Sequence, residues 1–161
     1  MTPLRALRLA ILGGVRPWVM LNVVLMAHAK RKGLSLIAMF IESRMQKKYG
    51  VFISHKSTFP PSLNLKHPVG IVIGEGVRLG ERVRIYQNVT LGGARVGDSD
   101  NGNYPEIGDD TVIFAGAKII GNVRVGRNCV IGANSVVTRD VPDFSTAAGI
   151  PARVINNRSE N

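Results

Sequence analysis

Cysteine, histidine and aromatic residues are scarce in this sequence. Among 161 residues there are one cysteine and three histidines, and 6% of the residues are aromatic. The single cysteine, Cys129, excludes disulfides within the chain, which weakly indicates a reducing, cytoplasmic setting. Metal sites built from histidine need several such residues, and none follows His67 in the sequence. We therefore expect no bound metal ion.

Long hydrophobic runs and acidic residues are also missing. The uncharged run from Pro17 to Ala29 is too short to cross a bilayer, and nothing near the start resembles a signal peptide. The sequence contains eleven acidic residues and 21 lysines and arginines, which gives a formal charge of +10. This excess favours anionic partners, such as phosphate-bearing cofactors or an acidic membrane surface. No nucleic-acid motif is present. We expect a cytoplasmic protein, with contact to the inner membrane face as an open alternative.

The most informative pattern in the chain is an aliphatic residue at every sixth position. Within each unit the residues alternate, as in Val83-Arg84-Ile85, so that the apolar pair faces inward and the charge outward. Such units stack into a parallel β-helix, whereas the strands of a β-sandwich keep no fixed period. The repeated positions are Ile73, Leu79, Ile85, Leu91, Ile107, Ile113, Ile119, Val125, Ile131 and Val137.

The chain divides into three parts on this pattern. Residues 1–49 are predicted to be a short helical segment, with Pro17 suited to a helix start and Gly33 to a helix end. Residues 50–155 are the β-helix, and residues 156–161 a loose polar tail. The fold class is thus mainly β. The helices are expected to pack against the coils or a neighbouring subunit, with a membrane surface as the alternative.

Two interruptions of the six-residue period are candidate sites. The step from Leu65 to Ile73 is eight residues, so that two extra residues bulge out directly after His67. A polar, glycine-rich loop at 93–105 forms the second interruption, and such a loop commonly covers a substrate. A disordered decoration is the alternative for this loop. The outward Val112 and Val130 lie eighteen residues apart, which predicts an apolar stack buried against another subunit.

Several motifs resemble those of a known enzyme family. They are Leu65-Lys66-His67-Pro68-Val69-Gly70, Gln87-Asn88-Val89-Thr90-Leu91-Gly92-Gly93, Ala115-Gly116-Ala117-Lys118-Ile119 and Gly149-Ile150-Pro151-Ala152-Arg153. Over residues 50 to 155 the sequence resembles the left-handed β-helix acyltransferases, in particular the serine acetyltransferase branch. That branch includes enzymes that O-acetylate capsular polysaccharides and colanic acid. The resemblance implies the left-handed twist, acetyl-CoA as co-substrate, and homotrimers with active sites between neighbouring prisms.

The resemblance also assigns roles to individual residues. His67 matches the catalytic histidine, a general base for a hydroxyl that is a poor nucleophile near neutral pH. Ala115 and Ala133 match positions whose main chain binds the pantetheine arm, and Gly93 can contact the same arm. Arg153 matches a basic residue near the nucleotide, and Arg139 is a nearby candidate for phosphate.

The departures from the family pattern concern the acceptor. Lys66 stands where serine acetyltransferases have an aspartate, and Asn103 and Tyr104 replace an arginine and a histidine. Phe52 stands where a carboxylate orients the catalytic imidazole. From these changes we predict O-acetylation of a sugar hydroxyl in surface polysaccharide biosynthesis, with Lys66, Asn103 and Tyr104 near the acceptor. The alternatives are serine O-acetylation in cysteine biosynthesis, a metal-bearing β-helix of the γ-type carbonic anhydrase kind, and a CoA-binding scaffold without turnover.

Overall fold

The computed structural model describes residues 14–157. The start of the predicted helical segment and the end of the polar tail lie outside this range. Two helices open the described part, α1 at Val15–Arg31 and α2 at Ser35–Tyr49. Gly50 ends α2 with a φ of 63°, and its N–H donates to the carbonyl of Gln46 at 3.1 Å. A left-handed residue at this position lets the chain turn from the helix into the first coil.

The apolar residues of α2 do not share one side of the helix. Ala38, Ile41 and Met45 are buried, but Leu36 and Phe40 are 79% and 68% exposed. At 100° per residue, positions 36 and 40 lie on the opposite side of the helix from 41 and 45. Among residues 14–157, no helix combines the length and the apolar character that a bilayer crossing requires. Contact of the helices with a membrane surface therefore stays a prediction.

After the helices the chain forms short strands that wind into a three-sided prism. The strands are β1 Phe52–Ile53, β2 Asn64–Leu65, β3 Val72–Ile73, β4 Arg78–Leu79, β5 Arg84–Ile85, β6 Thr90–Gly92, β7 Glu106–Ile107, β8 Val112–Ile113, β9 Lys118–Ile120, β10 Arg124–Val125, β11 Val130–Ile131, β12 Val136–Val137, β13 Ser145–Gly149 and β14 Ala152–Asn157. Sheet A has the order β1-β3-β6-β9-β12, sheet B the order β4-β7-β10, and sheet C the order β2-β5-β8-β11-β13-β14. All pairs are parallel except the last, β13 with β14.

The register of the sheets confirms the six-residue period. In sheet C, Ile85 pairs with Ile113 and Ile113 with Ile131, and all three side chains have no exposed surface. The outward residues stack in the same way, with Val112 beside Val130, both half-buried. Burying one such aliphatic side chain contributes roughly 1.5–3 kcal/mol. The core of the domain is therefore the continuous aliphatic column inside the prism, as a parallel β-helix requires.

Three edges separate the sheets, and two of them matter for the site. We call the corners 66–71, 86–89, 114–117 and 132–135 the C–A edge, because each joins sheet C to sheet A. The corners 54–57, 74–77, 93–105, 121–123 and 138–140 form the A–B edge in the same sense. Every corner of the C–A edge contains a residue with a positive φ angle: His67 and Gly70, Asn88, Gly116, and Asn134. At Gly116 (φ 74°) a Cβ atom would lie 2.0 Å from Oδ1 of Asn134, so that both the angle and the space require glycine.

The two helices are fixed to the first coil at opposite ends. Nε of Arg16 in α1 donates to the carbonyl of Leu65 at 3.0 Å, two residues before His67. Oε2 of Glu42 in α2 accepts from the backbone N–H of His55 at 2.8 Å and lies 2.6 Å from Nδ1 of the same residue. The helical pair therefore holds the coil that carries the candidate catalytic histidine.

Candidate active site

His67, Ala115 and Ala133 all lie in corners of the C–A edge. Backbone hydrogen bonds join successive corners there, since N–H groups of Asn88, Gly116 and Asn134 donate to carbonyls of the coil before, at 2.8–2.9 Å. Ala133 is exposed and Ala115 half-buried. Their small side chains leave the edge open below His67, where a thin ligand can lie along the main chain.

The bulge predicted after His67 is present. Six residues separate β2 from β3 at this corner, whereas four separate the strands at each of the later corners of the C–A edge. His67 itself is exposed and has a φ of 50°, in the left-handed region. Its ring centroid lies 6.3 Å from that of Tyr86, and no hydrogen bond to the imidazole occurs within residues 14–157. The extra residues thus present the imidazole to solvent at the side of the prism.

The second interruption is an ordered loop on the A–B edge. It spans residues 93–105, between β6 and β7, and contains a short helix, α3, at Asp98–Asn101. The carboxylate of buried Asp98 accepts hydrogen bonds from the N–H groups of Ala94 (2.6 Å) and Arg95 (2.7 Å) and from the amide of Asn103 (3.2 Å). The bond from Arg95 first, and that from Asn103 second, hold the pKa of Asp98 below its usual range.

Asp98 is an organising residue that the sequence reasoning missed. The run Asp98-Ser99-Asp100-Asn101-Gly102 has the composition of a helix start followed by a glycine stop, and this signal was available in the sequence. What the sequence does not show is that the carboxylate turns back onto the backbone at residues 94 and 95. A Cβ atom at Gly93 would lie 2.8 Å from Cβ of Asp98, so that the loop closes only over a glycine there.

Replacing Asp98 by alanine is expected to open the loop. The N–H groups of Ala94 and Arg95 lose their acceptor, and tryptic cleavage after exposed Arg95 should become several-fold faster. Since the folded pKa of this carboxyl is lowered, its contribution is complete above the ordinary carboxyl pKa and is lost as the pH falls through the lowered value. Equal cleavage rates for wild type and Asp98→Ala would contradict this role.

Two of the predicted acceptor-binding residues are engaged within the protein. The amide of Asn103 is bound to Asp98. The ring of Tyr104 packs over Gly76, where a Cβ atom would lie 2.0 Å from it, and burial together with Glu75 raises the pKa of the Tyr104 hydroxyl. Both side chains therefore fix the end of the loop. The acceptor contacts predicted for them stay predictions.

The remaining candidates lie apart in a single chain. Lys66 adjoins His67, and its N–H donates to the carbonyl of Ile85 at 2.7 Å. Exposed Arg139 belongs to the A–B edge, as Gly93 does. Arg153 is exposed on β14, where it pairs with Ala148 at the far end of sheet C. The candidates thus divide between the C–A edge, the A–B edge and the last strand, with the face of sheet A between the two edges.

Residues 14–157 contain no candidate metal centre. There, no three histidine, cysteine, aspartate or glutamate side chains converge in a way that can hold a metal ion. Cys129 is buried in the core column. His55 is paired with Glu42, which leaves His67 as the histidine that adjoins the open edge.

Comparison with known proteins places these features in a family. The model of the bacterial transferase hexapeptide, six repeats, matches residues 104–139. A serine acetyltransferase of Bacillus pumilus is 43% identical over 131 residues, which are 80% of this chain and 59% of that protein. The chain spans about three fifths of the length of the first curated relatives that it matches.

Solved structures agree with the sequence comparison. A serine acetyltransferase in complex with CoA is 33% identical, with a TM-score of 0.73, and the match covers 85% of this chain and 55% of that protein. The serine acetyltransferase of Neisseria gonorrhoeae in complex with serine is 37% identical, with a TM-score of 0.74, over 86% of this chain and 56% of that protein.

These findings show that the prediction of a sugar acceptor in polysaccharide biosynthesis is wrong. Relatives at 39–43% identity over most of the chain are named serine acetyltransferases. The prediction gave weight to Asn103 and Tyr104 as departures at the acceptor site. In the structure these side chains hold Asp98 and cover Gly76, so that their identity reflects how the loop is built. The identities of these two side chains alone therefore do not identify the acceptor.

Proposed function

The chain belongs to the hexapeptide-repeat family of left-handed β-helix acyltransferases, and on that premise we propose that it transfers the acetyl group of acetyl-CoA to the hydroxyl of serine. The observation that carries this proposal is the C–A edge, which has an exposed imidazole in its first corner and two small residues, Ala115 and Ala133, in its later corners. The names of the relatives support serine as the acceptor, and the CoA complex of one structural neighbour supports the co-substrate.

The proposed step follows from the chemistry of a hydroxyl and a thioester. The imidazole of His67 removes the hydroxyl proton as the serine oxygen attacks the acetyl carbonyl, and a carbon–oxygen bond forms. The carbon–sulfur bond then breaks, and the proton passes from the imidazolium to the departing thiolate of CoA. The products are O-acetylserine and free CoA. The neutral form of an imidazole is the form that accepts the proton in this step.

For the co-substrate we propose a path along the C–A edge. The pantetheine arm lies against the main chain at Ala115 and Ala133, with its thioester towards His67. Arg153, exposed beyond the last coil, and Arg139 are proposed to meet the phosphates of the nucleotide end. Gly93 lies on the A–B edge, away from the C–A edge of its own chain. Contact between Gly93 and the pantetheine arm therefore requires that the loop of a second copy reach this arm.

We propose a homotrimer on the same ground. A single chain divides its candidate residues between two edges of the prism, and the loop of one copy against the C–A edge of another would unite them. The half-buried stack of Val112 and Val130 on sheet C offers an apolar surface for such a contact. Because the chain spans only part of its relatives, the assembly is proposed for residues 1–161 alone.

Acetyl transfer to serine is the decisive test. Purified protein of the trimer fraction, with a mass near three times 17.4 kDa by light scattering, is incubated with acetyl-CoA and L-serine. We expect thiol release that depends on serine, together with O-acetylserine detected by mass spectrometry. D-serine and L-alanine are controls that alter the configuration or remove the hydroxyl. Thiol release that does not change when L-serine is omitted would overturn the proposed acceptor.

A further inference from the structure

An aromatic column runs along sheet C at the C–A edge. In each coil of this sheet the residue after the inward aliphatic position lies at the same place on the surface: Lys66, Tyr86, Phe114, Gly132 and Ala148. Tyr86 and Phe114 are consecutive in this column, in a chain with 6% aromatic residues. Their ring centroids are 5.0 Å apart at an interplanar angle of 30°. This distance matches the spacing of about 4.8 Å between neighbouring strands, so that the coil geometry itself stacks the rings.

The imidazole of His67 continues this column by one coil. Its ring lies 6.3 Å from Tyr86 at an angle of 45°, within the range of about 4.5–7 Å over which aromatic rings interact. His67 follows Lys66 in the coil next to that of Tyr86, and the bulge turns it towards the column. Phe114 is 38% exposed and Tyr86 half-buried, so that both rings are open on the side where a substrate reaches the edge.

Among residues 14–157, no carboxylate forms a hydrogen bond or an ion pair with the imidazole of His67. Phe52, the position that the family pattern gives to the orienting carboxylate, lies on β1 of sheet A. A base that takes a proton becomes a cation, and a cation needs a stabilising neighbour. The π-system of an aromatic ring attracts a cation over distances of about 6 Å, close to the 6.3 Å that separates the rings of His67 and Tyr86.

We propose that Tyr86 is the positioning residue of His67 in this protein. Its ring holds the imidazole beside the C–A edge and stabilises the imidazolium that forms when His67 takes the hydroxyl proton. Phe114 supports Tyr86 from the next coil and limits its rotation. The inference rests on the proposed acetyl transfer. It adds that the ring of Tyr86 orients and stabilises the imidazole, as a carboxylate does in a His–Asp pair. The hydroxyl of Tyr86 has no role in this contact.

Two substitutions of Tyr86 test this role. Tyr86→Leu removes the ring and keeps the apolar bulk, and kcat should fall by about 3- to 30-fold, with the KM for acetyl-CoA nearly unchanged. Tyr86→Phe keeps the ring and should retain the wild-type kcat within about twofold. Phe114→Leu should give a smaller loss than Tyr86→Leu. A wild-type kcat in Tyr86→Leu, or an equal loss in Tyr86→Phe, would overturn the inference.

The geometry can also be tested without any activity. The ring current of Tyr86 shifts the NMR signals of the His67 ring protons, which are identified by their loss in His67→Ala. In Tyr86→Leu these signals should move, while those of His28 and His55 stay in place. Unmoved His67 signals would overturn the contact itself. If wild type fails to acetylate serine but the signals move, the proposed function fails and the contact stands.

Discussion

Replacing His67 by alanine is expected to lower serine acetylation by about 10²–10⁴-fold, the contribution of a general base. No other imidazole adjoins the C–A edge in the described part of the chain, and the hydroxyl would have to attack without a group that accepts its proton. Binding of CoA should survive, because the proposed contacts at Ala115 and Ala133 use the main chain. The measurements are steady-state thiol release and the dissociation constant of CoA by calorimetry.

His28→Ala is the matched control for this substitution. His28 is exposed on α1, and Nδ1 of its ring lies 2.8 Å from the carbonyl oxygen of Val24. It should keep wild-type kcat and KM. A second control is the thermal midpoint, which should stay unchanged in His67→Ala because the ring is exposed. Activity of His67→Ala within tenfold of wild type would remove this histidine from the mechanism.

The sequence predicts the prism well, for a physical reason. Residues of one coil and of the coils above and below it fill the interior of the prism. Because the inward positions recur every six residues, the period in the sequence identifies the core residues directly. The bulge after His67 follows from counting, since eight residues replace six between Leu65 and Ile73. Both predictions depend on spacing along the chain, and both agree with the strand register.

The features that the sequence does not reveal are contacts between residues whose separations along the chain do not follow the six-residue period. Tyr86 follows His67 by nineteen residues and Phe114 follows Tyr86 by twenty-eight, because the bulge and the loop each break the period. The aromatic column therefore leaves no trace in a pattern of sixes. The carboxylate of Asp98 binds the backbone of its own loop. The sequence does not predict which way the side chain of such a loop residue points. The wrong prediction of a sugar acceptor has the same cause. In a sequence, polar residues that stabilise a loop cannot be distinguished from polar residues that bind a ligand.

Ile85→Ala is expected to cause the largest loss of stability, about 2–5 kcal/mol, because it removes buried methyl groups and leaves a cavity in the core column. Ile85 is completely buried on β5, between Leu65 of β2 and Ile113 of β8. The neighbouring Arg84 is exposed on the outer side of the same strand, and Arg84→Ala should change stability by less than about 0.5 kcal/mol. Together the two variants test the alternation on which the predicted prism depends.

The comparison needs unfolding at one fixed protomer concentration, since association with other copies adds to the apparent stability. Urea titration followed by far-ultraviolet circular dichroism gives the midpoint, and the slope shows whether the transition keeps its cooperativity. A domain built from stacked coils loses contacts on both sides of a damaged one, so that the cavity at Ile85 weakens the coils of β2 and β8 as well. Equal stability losses for Ile85→Ala and Arg84→Ala would contradict the assignment of inward and outward positions, and with it the geometry that sets His67 above Tyr86.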